Sequence, residues 1–327
     1  MDIQLKKSGI GVKEKKSKNH LLYSIKQNLF AYAMLIPTFV CMMCIHFIPM
    51  LQGIYLSLLD LNQLTMTKFL NAPFIGLKNY YEILFDEKSL IRRGFWFALR
   101  NTAIYTVVVT FATFALGIIL AMLVNREFKG RGIVRTALLM PWVVPSYVVG
   151  MTWGFLWRQD SGLINIILCD ILHILPEKPY WLVGSNQIWA IIIPTIWRGL
   201  PLSMILMLAG LQSISPDYYE AADIDGANGW QKFWHITLPL LKPILAINVM
   251  FSLISNIYSF NIVSMMFGNG AGIPGEWGDL LMTYIQRNTF QMWRFGPGAA
   301  ALMIVMFFVL GIVALWYTLF KDDLVVK

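Results

Sequence analysis

Five stretches of this chain run for 22 to 33 residues without one Asp, Glu, Lys or Arg: Gln27–Leu59, Asn101–Asn125, Thr136–Trp157, Pro243–Gly275 and Phe295–Phe320. A sixth, Pro179–Pro216, is interrupted only by Arg198. A helix crosses a bilayer with about 20 apolar residues, and runs of this number and length exceed what one water-soluble core absorbs. Only 13% of the 327 residues are charged, where soluble domains carry about a quarter. The runs therefore predict an all-α membrane protein with six transmembrane helices, near residues 29–51, 99–124, 134–157, 188–211, 241–265 and 297–320.

Charge placement gives the expected orientation. Seven lysines precede the first run, and under the positive-inside rule a tail of this kind stays in the cytoplasm. Six spans return the C-terminus to the same side, which divides the chain into a basic cytoplasmic tail at 1–28, a first transmembrane helix and outer segment at 29–98, a five-helix core at 99–320 and a cytoplasmic tail at 321–327. Cytoplasmic segments then carry 15 basic residues and outer segments 10. The first outer segment works against the bias with Lys68, Lys78, Lys88, Arg92, Arg93 and Arg100, although Asp60, Glu82, Asp86 and Glu87 sit among them. The tail is read as an orientation signal, since a nucleic-acid surface calls for basic residues interleaved with aromatics on a folded face.

The first run is longer than the apolar region of a secretory signal and lacks an Ala-x-Ala-like end, so it is expected to stay as a span. Cys41, Cys44 and Cys169 make no disulfide framework. Cys41 and Cys44 read C-x-x-C, but within an apolar helix and with no second pair they suit packing better than zinc or redox chemistry.

The least membrane-like cytoplasmic segment is 215–239. Ser215 suits an N-cap and Pro216 the first helical position, where a missing N–H costs nothing. Asp217 and Glu220 complement the positive end of the helix dipole, and Gly226 can take the left-handed conformation that ends a helix. Trp230, Phe233 and Trp234 then predict a short second helix with aromatic rings exposed, closed by Pro239 and Pro243. Such a patch suits either packing on the chain's own spans and lipid headgroups or docking to a cytoplasmic partner.

Glu220-Ala221-Ala222, three residues, Gly226, nine residues and then Ile236-x-Leu238-Pro239 resemble the EAA loop of importer-type ATP-binding-cassette (ABC) permeases. Gly130-Arg131-Gly132, Leu139-Met140-Pro141-Trp142, Trp197-Arg198-Gly199-Leu200-Pro201 and Leu211-Gln212-Ser213-Ile214 look like the carbohydrate-uptake branch, the maltose-type first permease. The resemblance covers about 95–320 and implies the type I ABC permease fold with a cytoplasmic coupling helix, in a bacterial-type cytoplasmic membrane with both termini cytoplasmic. It also implies the partners: a second homologous permease, a dimer of ATP-binding subunits and an extracytoplasmic sugar-binding protein, all in membrane lipid and without nucleic acid. Glu220, Ala221, Ala222, Asp225, Gly226 and Trp230 would then contact the ATPase. This chain has no Gly-x-x-x-x-Gly-Lys-Ser/Thr loop, so no cofactor is expected on it; ATP and Mg belong to the partner ATPase, and the chain is expected to be no enzyme.

Two departures from the family follow. The extra N-terminal spans and large outer domain of the bigger maltose-type subunits are not expected here. The family's Gly-Gly-Gly-Pro after span 5 is replaced by the stretch 268–279, which could meet the binding protein or the substrate.

An ionisable residue within a span faces a cavity or a partner. Arg198, beside Gly199 and Pro201, is either a structural Arg or part of a substrate path. By the resemblance that path also includes Leu202, and Asn256, Tyr258, Ser259 and Asn261 on span 5. Amides, hydroxyls and aromatic rings suit a sugar, and a guanidinium suits a carboxylate; single polar residues also serve as interhelical glue. The favoured function is import of a sugar or oligosaccharide, acidic ones included. The alternatives are a glycerol-phosphate ester importer, a membrane-embedded enzyme and a scaffold; neither of the last two explains Glu220 to Pro239.

Overall fold

A computed structural model describes residues 28–67, 72–267 and 274–324. The Lys-rich tail before Asn28 and residues 268–273 of the glycine-rich stretch, both singled out above, lie outside the described residues. Chain contacts divide the protein into two units, Met1–Tyr55 and Leu56–Lys327. Helix α1 spans Leu29–Ser57, through a π-turn at Met43–Phe47, and its Cys41 and Cys44 are free thiols. There follow α2 (Lys78–Leu84), α3 (Leu90–Asn125), α4 (Arg131–Val143), α5 (Ser146–Leu156) and α6 (Gln187–Ser213). After these come α7 (Pro216–Ile224), α8 (Gly229–Ile257), α9 (Asn261–Met266), α10 (Leu281–Gln286) and α11 (Phe295–Leu324). The loop before α6 carries a short helical segment, Leu163–Asn165 followed by a π-turn at Ile166–Ile171.

Among the described residues five helices are long and apolar enough to cross a membrane, or six if the bent pair α4 and α5 counts as one span. That pair corrects the expectation of a single helix over 134–157: it is two helices that meet at 91°. The cause is local. Proline 145 has no N–H to donate and pushes the residue before it out of the helical region, and Val144 sits at φ −65°, ψ 126°. The fifth span is corrected at both ends. It begins at Gly229, so the second loop helix runs straight into the membrane helix, and it stops at Ile257 instead of 265. Pro239 and Pro243 do not interrupt it; a π-turn at Phe233–Thr237 shifts the ladder just ahead of Pro239, Leu238 N–H bonding to the Phe233 carbonyl, and Pro243 lies inside the helix that follows. The helix breaks at Tyr258–Phe260 and restarts as α9. The second span also starts at Leu90 rather than 99, capped by the Ser89 hydroxyl, which accepts from Ile91 N–H at 3.2 Å.

Three buried clusters hold the second unit together. One joins Tyr105 of α3, Val149 of α5, Ile191 of α6 and Val263 of α9. Another sets Ile83 of α2 and Phe95 of α3 against Leu281 of α10 and Ala300 of α11. The third packs Ala121 of α3 and Met204 and Met207 of α6 with Leu241 of α8. Lipid tails are as apolar as leucine, so helices in a bilayer associate through close packing at small residues. Gly150 and Gly154, one turn apart on α5, serve this purpose against α9. A Cβ on Gly150 would stand 2.5 Å from the Ile262 carbonyl oxygen, and one on Gly154 2.9 Å from that of Met266. Both obstacles are backbone and cannot rotate away. We expect Gly150→Leu to lower the melting temperature of the detergent-purified chain, at an overpacking cost of about 1–3 kcal/mol or more. Gly132→Ala, in open space, should leave it unchanged; equal melting of the two variants would refute the close-packing role.

Candidate functional site

The two helix breaks meet at one cavity of about 520 Å³. All seven residues expected to line a path, Arg198, Gly199, Leu202, Asn256, Tyr258, Ser259 and Asn261, lie in its wall. Irregular backbone at membrane depth is tolerated where it lines a cavity or is buried in protein, and here side chains complete it. Arg198 Nε donates to the Val144 carbonyl at 3.2 Å, the oxygen released by the α4–α5 bend. Asn261 Nδ2 donates to Ser146 Oγ at 3.2 Å, joining the start of α9 to the start of α5. Arg198 forms no ion pair among the described residues. Its Nε is thus structural. Gly199 is not demanded by space, since the nearest atom to an added Cβ is Thr113 Cγ2 at 3.7 Å.

Two of the seven are also spent on holding helices together. Asn256 Nδ2 donates to Thr110 Oγ1 and to Ser252 Oγ, both at 3.2 Å, and the side chain is buried. Ser259 belongs to a directed chain of hydroxyls. Thr195 Oγ1 donates to the Ile191 carbonyl at 2.7 Å, Tyr105 Oη donates to Thr195 Oγ1 at 3.0 Å, and Ser259 is left to donate to Tyr105 Oη at 2.9 Å. Sequence reasoning missed Tyr105 and Thr195, because a hydroxyl in an apolar span carries no sign of facing a cavity. It also missed Trp142, Phe251 and Asn248, which add two aromatic rings and an amide to the lining. The Asn248 amide nitrogen is buried with no hydrogen-bond partner among the described residues, as are the hydroxyls of Thr113 and Ser203 in the same wall.

The loop 215–239 is built as its residues direct. Ser215 Oγ accepts from Asp217 N–H at 3.3 Å and Pro216 occupies the first helical position. Gly226 ends α7 at φ +75°, and Ala227 N–H returns to the Ala222 carbonyl at 2.9 Å. Asn228 and Gln231 then form a reciprocal capping box that starts α8. Tyr219 Oη and Thr237 Oγ1 meet at 3.0 Å across the two helices, and Lys232 pairs with Asp223. This leaves Glu220, Ala221, Asp225, Gly226 and Trp230 exposed, while Ala222 is buried and faces inward. Ile224 is 88% and Trp230 70% exposed, and Trp230 gathers Phe233 and Trp234 at centroid distances of 6.1 and 5.6 Å.

The described part of the stretch 268–279, Pro274–Asp279, is tied to α3. Asn101 Nδ2 donates to the carbonyls of Glu276 at 2.7 Å and Asp279 at 3.0 Å. Burial pushes the Asp279 carboxyl up from its ordinary range, while Arg287 beside it and Thr283 Oγ1 at 2.7 Å pull the other way. Burial likewise pushes the Tyr284 hydroxyl up to about 12, so it stays a neutral donor to the Ile91 carbonyl at 2.7 Å. Among the described residues no group of His, Cys, Asp and Glu is arranged to hold a metal ion.

Residues 113–323 match the family described as binding-protein-dependent transport system inner membrane component. The trehalose/maltose transport system permease protein MalF of Thermococcus litoralis is 34% identical over 74% of this chain and 78% of its own length. The sulfoquinovosyl glycerol transport system permease protein SmoG of Agrobacterium fabrum is 34% identical over 85% of this chain and 86% of its own. Among solved structures, a bacterial ABC transporter involved in the import of the acidic polysaccharide alginate aligns with a TM-score of 0.76 and 25% identity, covering 93% of this chain and 99% of that one. The chain belongs to the binding-protein-dependent transport family, as a multi-pass inner-membrane permease subunit of an ABC importer and not itself an enzyme.

Proposed function

We propose that this permease passes a sugar or oligosaccharide through the cavity at the helix breaks, and that the Arg198 guanidinium receives an anionic substituent where the sugar bears one. The observation that carries this reading is the lining itself: rings for the C–H faces of a sugar, amides and hydroxyls for its oxygens, and one cation with no carboxylate partner among the described residues. The names of the relatives support it. They span the neutral trehalose/maltose system, a sulfoquinovosyl glycerol system and an importer of an acidic polysaccharide.

In this reading both termini are cytoplasmic, and a second homologous permease completes the pore. A dimer of ATPase subunits, which holds ATP and Mg, drives it from below, and an extracytoplasmic sugar-binding protein delivers the cargo. The loop 215–239 is the coupling element: Glu220, Ala221, Asp225 and Gly226 offer the exposed surface, Trp230 the apolar anchor, and Ala222 holds the helix onto its own subunit.

Two outcomes test it in proteoliposomes containing the whole complex. Arg198→Gln should lower uptake of an acidic oligosaccharide about tenfold or more relative to a neutral one, as expected for the loss of a charged hydrogen-bonded pair. Equal losses for both cargoes would mean that Arg198 acts only by holding the Val144 carbonyl. Trp230→Ala should leave the chain inserted and the complex assembled more weakly, with cargo-stimulated ATP hydrolysis reduced at least about tenfold, because exposed tryptophans are frequent interface anchors. Undiminished stimulation would remove the loop from the coupling path.

A further inference from the structure

The first turns of α3 hold a second cleft, unrelated to the cavity between the helix breaks. It encloses about 460 Å³ and is lined by Glu87, Arg92, Arg93, Trp96, Phe97 and Arg100. Residues 93, 97 and 100 share one helix face, and both arginines lie over the same ring. The guanidinium carbon is 5.5 Å from the Phe97 centroid for Arg93 and 5.2 Å for Arg100. Arg100 also lies 4.2 Å over Trp277 and points Nε and Nη2 at Asn101 Oδ1, while Arg92 Nε donates to the Leu84 carbonyl at 3.1 Å. The three cations are therefore held in place by aromatic rings and neutral oxygens.

Charge is what this arrangement leaves unbalanced. None of the three arginines forms an ion pair among the described residues, Glu87 included. Two of them, Arg92 and Arg93, stand in the first turn of a helix, where the dipole already presents positive charge. The same residues are the ones that run against the positive-inside bias. Around them Phe85 and Leu90 are 64% and 82% exposed, and Trp96 is exposed as well. Aromatic side chains at the end of a membrane span mark the headgroup level. A soluble anion would answer the charge but has no use for Phe85 and Leu90, whereas acyl chains cover such side chains.

We propose that this cleft is a binding site for the phosphate of an acidic phospholipid headgroup, with Arg93 and Arg100 as its principal ligands and the lipid tails lying along α3. The headgroup supplies the counter-charge that the fold omits, and it ties the junction of α2 and α3 to the membrane surface.

The test uses the full chain, with any subunits that accompany it, delipidated in mild detergent. Thermal unfolding and native mass spectrometry are followed with phosphatidylglycerol, phosphatidylcholine and inorganic phosphate in separate arms. Phosphatidylglycerol should be retained about 30-fold over phosphatidylcholine, the preference expected of two arginines at an anionic surface, and should raise the melting temperature. Arg93→Gln combined with Arg100→Gln should abolish the preference, and Lys78→Gln on α2 should keep it. Equal retention of both lipids, or a preference that survives the double substitution, overturns the proposal. So does full stabilisation by inorganic phosphate, which would make this a site for a free anion. If the double variant does not fold, salt decides on the wild-type chain: a preference untouched by molar sodium chloride also overturns it.

Discussion

The bond from Arg198 Nε to the Val144 carbonyl is the interaction on which the cavity depends. A carbonyl freed inside a bilayer has no water to turn to, and leaving it unsatisfied costs several kcal/mol. Pro145 holds Val144 out of the helical region, so the Val144 carbonyl has no donor within its own helix. One charged side chain from α6 then meets the demand through a single nitrogen. The structural role of Arg198 and the cargo-binding role proposed for it are for this reason not rivals, since they use different nitrogens of the guanidinium.

A similar economy governs the loop between α6 and α8. Its two helices are fixed to each other by Tyr219 with Thr237 and by Lys232 with Asp223, and the capping box at Asn228 starts the second. The surface pair of charges adds little, on the order of 0–1 kcal/mol. The positive φ at Gly226 matters more, because a side chain there would be strained by about 1–2 kcal/mol. Continuity of α8 from Gly229 to Ile257 joins the exposed Trp230 to the span that ends at the cavity wall.

The sequence made the number of spans legible because absence of charge over more than 20 residues is a strong signal. The Ser215 cap, the Gly226 turn and the seven cavity residues were also readable, the last through resemblance more than through spacing. The breaks were not. Pro141, Pro194, Pro201, Pro239 and Pro243 all lie within continuous helices, whereas Pro145 follows the end of one, so the presence of a proline does not by itself announce a break. The interruption at Tyr258–Phe260 has neither proline nor glycine to announce it. Tyr105 was hidden for a related reason: its role is set by Thr195 and Ser259, 90 and 154 residues away along the chain.

Gly150 and Gly154 bring the backbone of α5 onto that of α9, and each of these helices begins at a break in the cavity wall. Contact this close, with Ile262 and Met266 backbone against the two glycines, fixes where α9 starts relative to α5. The breaks at Val144–Pro145 and Tyr258–Phe260 are thus set against each other by packing between spans more than 100 residues apart in sequence, and not by continuity of the chain.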